Sequence, residues 1–356
     1  MNTLNLLDGV QGNTISHTRE VKHLSTTVQD TSLSLLERIE SLEDIISLEV
    51  GDSDLSRARN LERKYDIRQL YIKYEGDNPT GTQKDRIAFA QVLDCVRRKF
   101  RIISLATCGN YGVACAHAAF LAGIECKIFI PVSYHSKRIG EMEAFGAQVI
   151  RLEGTYEDVV TQSTQLAKEN KWYDANPGGN NTPIQINAYA EIALEIYDQL
   201  RDAPKYLAVP VSNGTLLAGI HRGFVTLHKR GKTSRIPIFV AGSTAHMNPI
   251  ISSFQKGLDY CEDIPPGNIH ETEVNEALIN WHSFDGNEAL NALQSTNGFA
   301  ANISDRQLKQ MSTLLHKHEG MRILPASSAG LIALLELHKT KPLINDRFVA
   351  VLTAKY

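Results

Sequence analysis

From residue 69 onward, short runs of β-branched and apolar residues alternate with longer stretches of helical period. This alternation predicts a parallel sheet built through right-handed crossovers, with helices covering its faces. Strands are expected at 69–74, 102–106, 126–130, 148–152 and 172–175. Between them fall helices at 83–97, with Ile87, Ala90, Val92, Leu93 and Val96 on one apolar face, at 111–121 before Gly123, and at 136–145. Thr155 and Asp158 open a further helix as a capping pair. An amphipathic helix at 187–200 leads into a second series, with a strand at 206–211, a polar turn at Asn213 and Gly214, a helix to 228 and a strand at 236–241. Residues 243–300 show no readable period, whereas 305–316 and 327–338 read as helices and 348–352 as a final strand.

Upstream of this pattern, residues 11–33 are rich in Ser, Thr, Gln and Asn, and a helical stretch at 34–42 stands apart. By composition, residues 1–45 read as an N-terminal extension. No internal repeat argues for a solenoid or propeller. Nowhere do about 18 apolar residues run together, and the first twenty residues lack a continuous apolar segment. Neither a membrane span nor a secretory leader is therefore expected. The 356 residues carry 37 Lys and Arg against 40 Asp and Glu, and a net charge of -3 offers no electrostatic case for a nucleic-acid partner. The five cysteines, Cys95, Cys108, Cys115, Cys126 and Cys261, form no CxxC pair and an odd set, which fits a reducing cytoplasm better than a disulfide framework.

Three turns could carry chemistry. Lys84 lies in Asn78-Pro-Thr-Gly-Thr-Gln-Lys-Asp-Arg86, in the first turn of an expected helix, where the macrodipole disfavours a cation. A lysine so placed and partly desolvated loses some tendency to carry charge, which suits an imine-forming nucleophile. The plain alternative is a surface lysine offset by Asp85. Thr107-Cys-Gly-Asn-Tyr-Gly112 joins a strand to a helix, so its N–H groups form a seat for a carboxylate, or a glycine turn with no further role. Cys108 reads as a buried thiol rather than a nucleophile, because no sequence partner marks a base. Ser212-Asn-Gly-Thr-Leu216 repeats the strand, turn and helix geometry and could cradle a phosphate. The chain has neither a Walker loop nor GxGxxG after a strand. Asp52 and Asp54 do not continue as a calcium loop, and His316 to Glu319 read as a solvated helix face, so no metal site is expected.

Four ordered motifs together resemble the fold type II pyridoxal-phosphate enzymes, the tryptophan synthase β family, and among them the threonine synthases most. The segment 78–86 is similar to NPTGSFKDR, Thr107-Cys-Gly-Asn110 to an S-[ST]-G-N loop, the turn after Val209-Pro-Val211 to VPVGNGG, and Val351-Leu-Thr353 to VLTG. The resemblance spans residues 47–353 and implies an α/β fold of two domains, each a largely parallel sheet flanked by helices. It implies pyridoxal 5'-phosphate as cofactor, with Lys84 as the Schiff-base lysine and proton carrier. Asn110 would bond the phenolic oxygen, Ser212, Asn213, Gly214, Thr215 and Leu216 the phosphate, and Thr353 the pyridine nitrogen. Thr107, Cys108, Gly109, Asn110 and Tyr111 would hold the substrate carboxylate.

On the same resemblance, residues 46–67 and 186–356 form a larger cofactor-anchoring domain and 68–185 a smaller, mobile substrate-binding domain. A homodimer is the family's expectation. The implied reaction is elimination or replacement on a small amino acid, most like O-phosphohomoserine plus water to threonine plus phosphate. The alternatives are β-replacement or β-elimination on serine, phosphoserine or acetylserine, as in cysteine or cysteate synthases or dehydratases, and a degenerate binding protein. Lys73 precedes the lysine motif in relatives of varied substrate and is taken as structural. Departures from the family pattern are Ser212 and Thr215 in place of glycines, whose hydroxyls could also bond phosphate, Thr82-Gln83 for Ser-Phe, and Leu324 where Glu is common. Ala354-Lys-Tyr356 stops short of the tail expected of a threonine synthase.

Overall fold

The computed structural model describes residues 5–8, 14–107, 109–134 and 138–356, with 5–8 and 14–16 defined by their backbone. The chain begins with β1 (Asn5–Asp8), β2 (Thr14–Ser16), α1 (Arg19–Gln29), α2 (Leu35–Glu49), β3 (Asp54–Arg57), α3 (Arg59–Tyr65) and β4 (Leu70–Tyr74). It continues through α4 (Lys84–Arg97), β5 (Ile102–Ala106), α5 (Asn110–Ala122), β6 (Glu125–Pro131), α6 (Ile139–Ala144), β7 (Gln148–Leu152), α7 (Tyr156–Asn170), β8 (Tyr173–Asp174) and α8 (Thr182–Leu200). The last part holds β9 (Tyr206–Pro210), α9 (Thr215–Lys229), β10 (Ile238–Thr244), α10 (Pro249–Lys256), α11 (Gly286–Ser295), β11 (Phe299–Ile303), α12 (Asp305–Glu319), α13 (Ala329–Thr340) and β12 (Phe348–Leu352). Two units divide these elements, one of residues 1–51 and 78–185 and one of 52–77 and 186–356.

The first unit is built on the sheet β7-β6-β5-β8, parallel throughout. Its α5 is apolar nearly all round and almost wholly buried, as a helix inside a core must be. The helices α1 and α2 belong to this unit and are no extension. Val21, Val28, Leu42 and Ile45 are fully buried, and the Ser25 hydroxyl donates to the Leu121 carbonyl at 2.8 Å. Ser34 and Glu37 close a capping box at the head of α2. Composition hid this, because one apolar stripe holds the helices while polar residues fill the solvent faces.

The second unit is built on the sheet β11-β10-β9-β12-β4-β3, parallel except that β3 runs against β4. Here β4 pairs with β12, Leu70 opposite Phe348, so residues 68–77 belong to the larger unit and not to the smaller one expected from sequence. The alternation marks β4 as a strand but not which sheet takes it. Against β9 and β10, α13 comes so close that a Cβ on Gly242 would lie 2.0 Å from the Ala329 carbonyl oxygen, and one on Gly330 2.5 Å from the Val209 backbone.

Other boundaries move by a few residues. The helix α8 starts at Thr182, not 187, because Pro183 falls in its first turn, where a missing N–H removes no helical bond. Of the helix expected at 136–145, residues 136 and 137 lie outside the described residues, and α6 covers Ile139–Ala144. The unreadable stretch 243–300 holds α10, α11, the start of β11 and long irregular connections. Among the described residues no helix is long and apolar enough to cross a membrane, and no group of three or more His, Cys, Asp or Glu could hold a metal ion.

Candidate active site

In the first unit, Lys84 is half-buried as the first residue of α4. Its Nζ lies 5.6 Å from the centroid of the Tyr111 ring. The neighbouring Asp85 turns back on its own loop, where its carboxylate accepts from the Thr80 N–H at 3.0 Å and the Thr80 hydroxyl at 2.9 Å. Complete burial pushes the Asp85 carboxyl up to about 7, against the Thr80 hydrogen bonds and the Arg138 charge, which pull it down. The carboxylate that sequence placed as an offset for Lys84 is thus a clasp for the loop that presents it.

Thr107, Gly109, Asn110 and Tyr111 lie where β5 gives way to α5, at the C-terminal end of a parallel strand; Cys108 lies outside the described residues. No side chain caps this end of α5 among the described residues, which suits an anionic ligand. The Tyr111 hydroxyl donates to the Ala175 carbonyl at 2.8 Å and accepts from Gln91, so the ring is held firmly beside Lys84. Sequence reading missed Arg138. Its Nη1 donates to Asn110 Oδ1 at 2.7 Å, its Nη2 to the Thr80 carbonyl at 3.3 Å, and its Nε and Nη2 to Glu141 at 2.9 and 2.7 Å.

In the second unit, Ser212, Asn213 and Gly214 lead from β9 into α9, which starts with Thr215 and Leu216. Gly214 has φ +95°, and a Cβ there would lie 2.7 Å from the Asp285 carbonyl oxygen, so both backbone and space demand glycine. No side chain caps α9 among the described residues, which leaves a helix N-terminus suited to an anion. The turn rests on the stretch that sequence could not read. Asp285 donates its N–H to the Asn213 carbonyl at 3.1 Å, and Asn248 and Asn280 hold Ser212 and Asn213 at 3.0 and 3.3 Å. The Thr215 hydroxyl donates to the Asp285 carboxylate. The hydroxyl that sequence left available to a phosphate thus has its proton engaged by Asp285.

Thr353 follows β12, which lies beside β9 in the sheet and parallel to it, so Thr353 and the 212–216 turn share the C-terminal edge of that sheet. Its hydroxyl lies 3.1 Å from that of Ser327, another residue the sequence did not single out. Lys73 is fully buried, its Nζ 2.6 Å from Glu195, in an internal ion pair.

Residues 46–354 match the family described as "Pyridoxal-phosphate dependent enzyme". The chain belongs to that family. Its cofactor is pyridoxal phosphate, and its fold is that of the fold type II members. It is 29% identical over 311 residues to the threonine synthase of Methanocaldococcus jannaschii, covering 87% of this chain and 75% of the relative. It is also 29% identical to the threonine synthase of Bacillus sp. (strain ULM1), covering 86% and 83%. Among solved structures, maize serine racemase aligns with TM-score 0.72 at 16% identity, covering 89% of this chain and 93% of that one. The processed form of threonine deaminase isoform 2 from Solanum lycopersicum aligns at 0.69 and 17% identity, covering 96% and 86%. At those identities the structures speak to fold alone. Family and relatives together support pyridoxal-phosphate-dependent elimination or replacement. Each unit by itself carries groups of a kind the cofactor can use: the first an amine at Lys84, the second an uncapped helix N-terminus behind Gly214, which suits a phosphate, and paired hydroxyls at Ser327 and Thr353.

Proposed function

We propose that this chain catalyses elimination and replacement on a small amino acid in the manner of threonine synthase, converting O-phosphohomoserine and water to threonine and phosphate. The observation that carries the proposal is Lys84 at the head of α4, beside the Tyr111 ring and on a loop clasped by Asp85, in a chain whose curated relatives include threonine synthases. Lys84 would bear the cofactor, Asn110 would bond its phenolic oxygen, the N–H groups of 212–216 its phosphate, and Thr353 its ring nitrogen. When bound, pyridoxal phosphate draws electrons from the substrate Cα. The Lys84 amine takes the Cα proton and returns protons in later steps. The N–H groups of Thr107 to Tyr111 hold the substrate carboxylate, and motion of the smaller unit would exclude water during reaction. A neutral hydroxyl at Thr353 does not hold a proton on the ring nitrogen as a carboxylate does, which favours elimination and replacement over transamination.

The test is product analysis with O-phosphohomoserine, O-phosphoserine, serine and threonine supplied separately, alongside the visible absorption of the parent and of Lys84→Ala. Threonine and phosphate from O-phosphohomoserine, lost with Lys84→Ala, are the expected result. Keto acid from serine or threonine would move the reading to a dehydratase. Cofactor uptake with no product from any of the four would leave a binding protein.

A further inference from the structure

Asn110 is a symmetric-looking amide that could present either end to a ligand, and only its neighbours decide which. A guanidinium donates and never accepts. Because Arg138 Nη1 meets Asn110 at 2.7 Å, the end facing Arg138 must be Oδ1, and the other end of the amide is the NH2. Arg138 is kept from swinging away by Glu141, three residues on, which grips it through two bonds at 2.9 and 2.7 Å. Arg138 also donates to the carbonyl of Thr80 at 3.3 Å, the residue whose N–H and hydroxyl Asp85 clasps. One partly buried side chain thus ties the loop that presents Lys84 to the amide of Asn110.

We propose that Arg138 is a positioning residue that fixes the Asn110 amide as a hydrogen-bond donor and ties it to the lysine loop. This rests on the functional reading above, in which Asn110 meets the cofactor's phenolic oxygen. An ionised oxygen there is stabilised by an NH2 and repelled by an amide oxygen, so the orientation of Asn110 sets the protonation behaviour of the bound chromophore. Glu141 neutralises the guanidinium, so Arg138 acts through geometry more than through charge.

The test compares Arg138→Met, Arg138→Lys, Asn110→Ala and the double variant Arg138→Met/Asn110→Ala with the parent. The readouts are pyridoxal phosphate affinity by fluorescence and the pH midpoint of the bound cofactor's visible band. Arg138→Met is expected to weaken binding about tenfold, the low end for a charge-assisted hydrogen bond, and to move the midpoint in the same direction as Asn110→Ala. In the pH midpoint the double variant should match Asn110→Ala alone, because Arg138 reaches the phenolic oxygen only through the Asn110 amide. Arg138→Lys keeps one donor and should fall between parent and Arg138→Met; it carries the comparison if Arg138→Met does not fold. A midpoint unmoved by loss of Arg138, or effects that add in full, overturns the proposal. A parent that takes up no pyridoxal phosphate instead overturns the functional reading, and this inference with it.

Discussion

His17 stacks on His117 with ring centroids 5.0 Å apart, planes 11° apart and Nε2 atoms 3.2 Å apart. One Nε2 must donate and the other accept, so the contact suits two neutral imidazoles. Burial pushes His117 down to about 3 and also lowers His17, with Lys22 adding to the latter. The unfolded chain takes up protons at these positions below about pH 6.5, where the folded chain does not. Stability is therefore complete above that pH and is lost as pH falls toward 3, at about 1.4 kcal/mol per pH unit for each proton withheld. Urea unfolding at pH 7 and pH 5 should show the loss, and His117→Leu should flatten it.

Asp85 has the opposite sign. Its carboxyl is raised to about 7 in the folded chain, so the folded state holds a proton between about pH 4 and 7 that the unfolded state has released. Stability from this group is greatest below pH 4 and falls as pH rises through 7. Asp85→Asn keeps an acceptor for the Thr80 N–H and removes the titration. It should gain stability over the parent at pH 8 and match it most closely at pH 4. Equal pH slopes in the two proteins would count against this account.

Removing the Ser327 hydroxyl should cost about 1–3 kcal/mol, because a buried N–H loses its acceptor. The Ser327 oxygen accepts from the Ala354 N–H at 2.9 Å beside the Thr353 hydroxyl. Denaturant unfolding of Ser327→Ala measures the loss. Ser327→Thr, which keeps the hydroxyl, separates it from packing.

Thr215→Val deletes the donor to the buried Asp285 carboxylate. About 2 kcal/mol of destabilisation is expected, within the range for hydrogen bonds to charged groups, together with weaker pyridoxal phosphate binding by equilibrium dialysis. Thr215→Ser should restore both. Binding that stays at the parent value in a folded Thr215→Val would show that the Asp285 contact does not shape the 212–216 turn.

Much of the candidate site was legible because each stretch sits where a strand gives way to a helix and must break the apolar alternation there. Lys84, Asn110 and the turn at 212–216 announce themselves by polar and glycine residues at such junctions. Asn280 and Asp285 lie in the stretch without a readable period, and Arg138 stands at the N-cap of α6, where helical period does not mark which polar side chain turns inward. Their importance lies in hydrogen bonds to residues 28, 67 and 70 positions away along the chain.

Local propensity and periodicity act over a few residues, and they were enough for the alternation of strands and helices from residue 69 onward, the lysine at a helix head and the glycine turns. Three-dimensional packing was needed for the rest: β4 joins the six-stranded sheet, α1 and α2 complete the smaller unit, and Asp85 clasps Thr80 instead of serving only as a neighbour to Lys84. Strand pairing and buried polar contacts depend on which distant surfaces exclude water together, and no local pattern carries that information.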